Sequence, residues 1–298
     1  MKVVVTGSLG NIGKPLATEL VQKGHQVTVI SSNPEKQKNI EALGARAAIG
    51  TLENVDFLVQ TFTGADAVFA MIPPNFAELD HVAYYSRIGN NYAMAIQQSG
   101  VKQVVHLSSY GAHLEKGTGF ILGAHYGERI LNELPNIGIT HLRAGFFYTN
   151  LYRFIDMIKG AGFLAANYGG DDKLILVHPT DIAAAAVEEM EAPAASQKIR
   201  YVVSDEHTAN EVAGIIGIAV GKPDLKWITL TNEQMRAGLE KQGMPSHTIE
   251  MFIEMGASAH SGALREDYER HKPVNMGKIK TEDFAKGFAE VYKKGSLH

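Results

Sequence analysis

The residues with the clearest chemical use stand at the start of the chain. Val3-Val4-Val5-Thr6-Gly7-Ser8-Leu9-Gly10-Asn11-Ile12-Gly13 sets three glycines between a β-branched run and the onset of a helical pattern. This arrangement suits phosphate binding. Gly7 permits a tight turn, Gly10 lets backbone amides approach a pyrophosphate with no Cβ in the way, and Gly13 lets the helix sit close to the strand. The helix N-terminus adds N–H donors and a partial positive charge. Gly7, Ser8, Gly10, Asn11, Ile12 and Gly13 are therefore the expected cradle of a dinucleotide. The spacing is Gly-x-x-Gly-x-x-Gly, which differs from the Gly-x-Gly-x-x-Gly of the common dinucleotide fold. The strand before it and the helix after it supply the context such a motif needs.

The tip of the second strand selects the nucleotide. An acidic residue there would bind the ribose 2′-hydroxyl of NAD. The chain instead reads Ile30-Ser31-Ser32-Asn33-Pro34-Glu35-Lys36, and Glu35 already falls in the first turn of a helix. Ser31, Ser32, Asn33 and Lys36 lie where a 2′-phosphate would fall, so NADP is expected, with NAD as the second choice. The same three polar residues would also serve as a plain helix cap. Ligands of open α/β sheets sit at the carboxyl ends of the strands. That rule adds Thr51 and Leu52 after the third strand, Met71, Ile72 and Pro73 after the fourth, Ser108 and Ser109 after the fifth, and Gly145, Phe146 and Phe147 after the sixth.

The elements that must position these residues are legible in outline. Lys2–Val5, Gln26–Ile30, Ala45–Ile49, Ala67–Ile72, Gln103–Ser108 and Ile139–Arg143 read as buried strands. Helical patterns over Gly13–Lys23, Pro34–Leu43, 53–62 and 80–99 separate them, with Asn33 as an N-cap and Gly24 and Gly44 as helix stops. Such alternation predicts an α/β fold, with a doubly wound, mainly parallel sheet of the Rossmann type. A helix over 181–191, capped by Asp181, and a strand over Lys198–Val203 return to that sheet. The rest, including most of the chain after Ser204, reads as helices and loops of a smaller, interleaved, α-rich C-terminal lobe. The expected division is a dinucleotide-binding domain over 1–150, rejoined by 176–203, and a substrate lobe over 151–298.

Composition narrows the class further. The chain has 298 residues, is 45% hydrophobic and 20% charged, and carries a net charge of -4. These are the proportions of an ordinary globular protein. No basic run suggests nucleic acid, and no apolar run is long enough to span a bilayer. There is no cysteine, which excludes disulfides, thiolate nucleophiles and thiolate-bound metal. The twelve histidines form no metal-ligand pair at helical spacing, so no metal is expected. A cytoplasmic location is the expectation from these features.

Two further stretches, His106-Leu107-Ser108-Ser109-Tyr110-Gly111-Ala112 and His125-Tyr126-Gly127-Glu128-Arg129-Ile130-Leu131, lead on to Gly138–Leu151. Together with the glycine turn they resemble the NmrA-like family of atypical short-chain dehydrogenase/reductases, including its type 2 quinone oxidoreductases. The resemblance is strongest over residues 1–190. It implies the fold and nucleotide binding, but the family holds both reductases and redox-sensing regulators without catalysis. Its members often carry an arginine near Ser32, and this chain has none.

Reductases of this fold commonly use Tyr-x-x-x-Lys, in which the tyrosine transfers a proton and the lysine lowers its pKa. Here Tyr110 is followed at that spacing by Leu114 and Tyr126 by Ile130, and only Tyr268 and Lys272 match, far beyond the sheet. Hydride transfer to a quinone or another flat electrophile needs less help, because the acceptor is already reactive and the cofactor carries the hard chemistry. His125, at the start of the helix that bears the Tyr-Lys pair in relatives, is the candidate proton donor. Tyr110, Tyr148, Asn150 and Tyr168 are the candidates for the acceptor wall. The leading expectation is thus an NAD(P)H-dependent reductase of a small-molecule acceptor. The alternative is a non-catalytic NAD(P)-binding sensor acting through a protein partner, and a nucleotide-sugar epimerase is a third, weaker reading.

Overall fold

The computed structural model describes residues 1–194 and 196–295. In chain order, the first half alternates as the sequence pattern requires: β1 (Lys2–Val5), α1 (Gly13–Gln22), β2 (Gln26–Ser31), α2 (Gln37–Ala42), β3 (Arg46–Ile49), α3 (Val55–Phe62), β4 (Ala67–Ala70), α4 (His81–Ser99), β5 (Gln103–Ser109), α5 (Leu122–Asn132) and β6 (Gly138–Ala144). The second half holds β7 (Phe146–Phe147), α6 (Ile155–Gly160), β8 (Leu164–Ala166), β9 (Lys173–Val177), α7 (Pro179–Glu191), β10 (Lys198–Val202), β11 (Asp205–Thr208), α8 (Ala209–Val220), β12 (Trp227–Thr229), α9 (Asn232–Lys241), α10 (Ser246–Ser261), α11 (Glu266–Arg270) and α12 (Thr281–Lys294).

Seven strands form one sheet in the order β10-β6-β5-β4-β1-β2-β3. The pairs β1/β2, β1/β4, β2/β3 and β4/β5 run parallel. The order reverses between β1 and β4, the crevice at which a doubly wound sheet takes its ligand. The chain divides into two compact units, interleaved along the sequence: residues 1–112, 123–143 and 182–200, and residues 113–122, 144–181 and 201–298.

In the first unit, β4 is buried at every position, and Leu58 and Phe62 of α3 and Ile88, Tyr92 and Ile96 of α4 pack in the same core as Val68 and Ala70. Gly24 and Gly44 have positive φ values of 83° and 85°, as helix-ending glycines require. The second unit has its own core, in which Tyr148, Phe154, Trp227, Phe284 and Phe288 cluster with Leu174 and Leu176 of β9. Among the described residues no helix is long and apolar enough to cross a membrane.

Several expectations need correction. Pro34–Lys36 is a 3-10 turn before the short α2, so Pro34–Leu43 is not one helix. β4 ends at Ala70, and Met71 and Ile72 belong to the loop after it. The segments between Arg143 and Asp181 are not only helices and loops, because β7, β8 and β9 form there, and the mainly helical stretch after Ser204 also holds β11 and β12. β11 is the polar tetrapeptide Asp-Glu-His-Thr, which becomes a strand through antiparallel pairing with β9, His207 facing Leu174. β12 pairs with β8 in parallel. Finally, Asp181 does not cap α7. The helix begins at Pro179, a favoured first position, and the Asp181 carboxylate instead accepts from Ser204 Oγ at 2.6 Å and from the amides of Lys278 and Ile279 at 3.0 and 3.2 Å.

Candidate cofactor and active site

The three glycines of the turn answer to different constraints. Gly7 has φ +90°, and a Cβ there would lie 2.1 Å from Met71 Sδ. A Cβ on Gly13 would lie 2.0 Å from the Ser8 carbonyl oxygen, so α1 sits against the turn as closely as a glycine permits. Gly10 is exposed, and its Cβ would meet only Gly7 O at 3.5 Å, an ordinary contact. The fold therefore demands glycine at 7 and 13 and makes no such demand at 10. Ser8 also has positive φ, 57°, a conformation rare outside glycine and of order 1–3 kcal/mol in cost. It is held there by its amide on Ile30 O at 3.0 Å and by its hydroxyl on Ser31 Oγ at 3.0 Å.

That hydroxyl pair joins the turn to the tip of β2. Ser31 is buried and also accepts from the Asn33 amide at 3.2 Å, while Asn33 Oδ1 accepts from the Glu35 amide at 2.8 Å. Ser31 and Asn33 thus shape the strand tip, and Ser32 and Lys36 are its exposed polar groups. Gly50, at the end of β3, donates to Ser31 O at 3.0 Å and brings Thr51 and Leu52 beside the same tip. Thr51 is exposed, and Leu52 O accepts from Asn91 Nδ2 at 3.0 Å.

The loop after β4 is pinned carbonyl by carbonyl. Tyr92, Tyr85 and Tyr84 of α4 donate their hydroxyls to the carbonyls of Met71, Ile72 and Pro73 at 2.7, 3.3 and 3.0 Å. Thr6, fully buried just before the glycine turn, accepts from the Met71 amide at 2.8 Å. The sequence reading missed Thr6 and these tyrosines. Their signal was available: three tyrosines on one helix that also buries apolar residues need partners for their hydroxyls.

At the end of β5, Ser108 is buried and its hydroxyl is committed inward, donating to Glu128 Oε1 at 2.5 Å. Arg143 Nε and Nη2 donate to the same carboxylate at 2.9 and 2.7 Å. Burial pushes the Glu128 pKa up, but the Arg143 and Ser108 hydrogen bonds and the nearby positive charge outweigh it and hold the group below the usual carboxylate range. Ser109 is half-buried and Tyr110 buried. His125, in the first turn of α5, is buried with Nδ1 2.9 Å from the Ala112 carbonyl oxygen. A carbonyl can only accept, so Nδ1 carries the proton and Nε2 is the nitrogen left for exchange.

The remaining candidates lie in the second unit. Gly145 is buried, and a Cβ there would come within 2.4 Å of Ile175 O, so packing on β9 already requires glycine. Phe146 and Phe147 are half-buried and Asn150 is exposed. Tyr148 stacks on Phe284 at 5.0 Å and bonds Thr281, and Tyr168 accepts from Arg153 Nη2 at 2.8 Å. Both tyrosines belong to the core of that unit. Tyr268 and Lys272, the one Tyr-x-x-x-Lys match, both bond Glu206. Among the described residues, Asp205, His207 and Glu282 bring one potential metal-ligand atom each within 4.8 Å of one another, with His207 Nε2 3.1 Å from Asp205 Oδ2.

A doubly wound sheet with a glycine turn at the end of its first strand defines a dinucleotide-binding protein of the short-chain reductase type. The chain belongs to the NmrA-like family, whose pattern matches residues 1–286. It is 25% identical to the NAD(P)H azoreductase of Xenophilus azovorans over 97% of this chain and 99% of that protein. Its fold is similar to that of the triphenylmethane reductase of Citrobacter sp., with a TM-score of 0.81 at 19% identity over 97% of this chain and 100% of the other. It is similar as well to the NADPH-dependent quinone oxidoreductase of Escherichia coli, solved as a complex with NADPH, with a TM-score of 0.79 at 20% identity over 98% and 99% of the two chains.

Proposed function

We propose that the protein is an NADP(H)-dependent reductase that passes hydride to a small quinone or a similarly flat electrophile. The observation that carries the reading is Gly10. It is the one glycine of the turn that the fold itself does not need, at the point where a pyrophosphate would meet the backbone. The azoreductase relative, alike over nearly the whole length of both chains, favours a small conjugated acceptor. NADPH, when bound, supplies the hydride. The protein's own part is to bind and orient. Amides of residues 10–13 at the start of α1 take the pyrophosphate, and Ser32, Asn33 and Lys36 take the 2′-phosphate. Met71–Pro73 is held rigid for the ribose by the α4 tyrosines. His125, fixed by its Nδ1 proton on Ala112 O, takes a second proton from solvent at Nε2 and passes that proton to the reduced acceptor.

The test is cofactor oxidation with NADPH and with NADH against quinones, azo dyes, triphenylmethane dyes and simple aldehydes. Turnover with flat conjugated acceptors, with NADPH preferred and aldehydes poor, is the expected result. A second reading, a cofactor-sensing regulator, rests on α5, where Tyr126 has Ile130 in the place of the lysine. No oxidation across the panel, together with different affinities for NADPH and NADP⁺, would establish the sensor in place of the reductase, because a sensor works through that difference.

A further inference from the structure

The side of α5 that meets the sheet carries a row of polar residues beside its apolar ones. His125, Glu128 and Asn132 fall at i, i+3 and i+7, which puts them on one side of the helix. β5 meets them with His106 and Ser108 and β6 with His141 and Arg143, each pair two residues apart and so on one face of its strand. The side chains join in two tiers. In the first, Glu128 takes three donors, two from Arg143 and one from Ser108. In the second, one turn along, His141 Nε2 donates to Asn132 Oδ1 at 2.9 Å, and His141 Nδ1 accepts from His106 Nδ1 at 2.9 Å. Gly127 lies over the His106 ring, where even a Cβ would be 3.4 Å from Cε1 and Nε2.

Stability is a poor reason for such an interface. A buried ion pair gains little over apolar side chains of the same volume, because desolvation offsets its attraction. What it supplies is register. The Arg143 guanidinium is a planar fork that fits a carboxylate in one orientation, and its side chain is only 6% exposed. α5 cannot slide or rotate without stranding a buried charge. One turn before Glu128 stands His125.

We propose that Glu128, Arg143 and Ser108 are positioning residues, locking α5 onto β5 and β6 so that the His125 imidazole keeps the single orientation its proton transfer needs. The proposal rests on the reductase reading for its kinetic arm and on the structure alone for its spectroscopic arm. The experiment is the double replacement E128M/R143M, which fills the volume without charge. The expected result is an unfolding midpoint no lower than that of the wild type and unchanged NADPH affinity. With these, kcat falls about ten-fold or more, as a displaced acid predicts. In a His125→Ala background the same double replacement should cause no further loss. The His125 Nδ1 proton, observed by ¹⁵N-histidine NMR, should shift or begin to exchange. The milder Ser108→Ala keeps the ion pair and covers the case of a double variant that does not fold. It should lower kcat less and move the same NMR signal. A folded variant with wild-type kcat, an equal loss in the His125→Ala background, or an unmoved His125 signal would overturn the proposal. If the wild type reduces no acceptor, the reductase reading fails, while the NMR arm still decides whether the ion pair positions His125.

Discussion

Acidification should destabilise this protein well above the range where carboxylates titrate, and the cause is the His106–His141 pair. His106 is fully buried, and burial pushes its pKa down from 6.5 to about 3, with His141 adding to the fall. The folded state therefore favours the neutral ring, and the unfolded chain takes up the proton first. Stability from this site is intact above pH 6.5 and is lost as the pH falls toward the folded pKa. Each pH unit below 6.5 costs about 1.4 kcal/mol, so His106 alone removes about 2 kcal/mol by pH 5. His141, lowered chiefly by burial, acts in the same direction. Glu128 is held below its ordinary value and so contributes nothing to the loss until the pH is lower still. Urea unfolding at pH 7, 6 and 5 measures the effect. His106→Gln keeps a polar group but cannot titrate, and its stability should fall by about 2 kcal/mol less over that interval. Equal slopes for the two proteins would refute the argument, because they would place the proton uptake elsewhere.

Three other perturbations separate binding from folding. Gly10→Ala should leave the unfolding midpoint unchanged and weaken NADPH binding at least about ten-fold, whereas Gly13→Ala, with its Cβ 2.0 Å from Ser8 O, should cost roughly 1–3 kcal/mol of stability; calorimetry and thermal melts read both. Ser32→Asp places a negative charge on the exposed tip of β2 and should weaken NADPH binding while sparing NADH, by direct titration; equal losses for both would reject the 2′-phosphate site. Asp181→Ala strands the Ser204 hydroxyl and the Lys278 and Ile279 amides, and urea denaturation should show a loss of about 3 kcal/mol with no change in NADPH affinity.

How far the sequence was legible depends on whether a feature is local. β1, α3 and β5 came through because their apolar periodicity and flanking Asn and Gly signals lie within a few residues. The glycine turn came through for the same reason, although the left-handed Ser8 did not, since nothing in Gly-Ser-Leu-Gly marks the serine that must bend. β11 was hidden because Asp-Glu-His-Thr has no strand periodicity and pairs with β9 from thirty residues away. Asp181 looked like a helix cap because it precedes an alanine-rich run, yet its donors come from residues 204, 278 and 279, which no local pattern predicts. Glu128 and Arg143 were visible as charges in apolar segments, a warning of a buried pair, but their partnership depends on which helix packs on which strands.

The constrained features of the first unit share a location. The glycine turn follows β1, Ser31 ends β2, the loop pinned by tyrosines follows β4, Ser108 stands near the end of β5 and Arg143 near the end of β6. In a parallel sheet these positions share the carboxyl edge, where open α/β sheets bind ligands. An apolar edge would have been simpler to stabilise, since each buried polar group here must find its partner or cost about 1–3 kcal/mol. The partners are in place: Ser8 for Ser31, Thr6 for Met71, Arg143 and Ser108 for Glu128. A strained serine, three pinned carbonyls and a buried ion pair along one edge fix geometry at the expense of stability, which is where a protein departs from local preference when that edge has a ligand to hold.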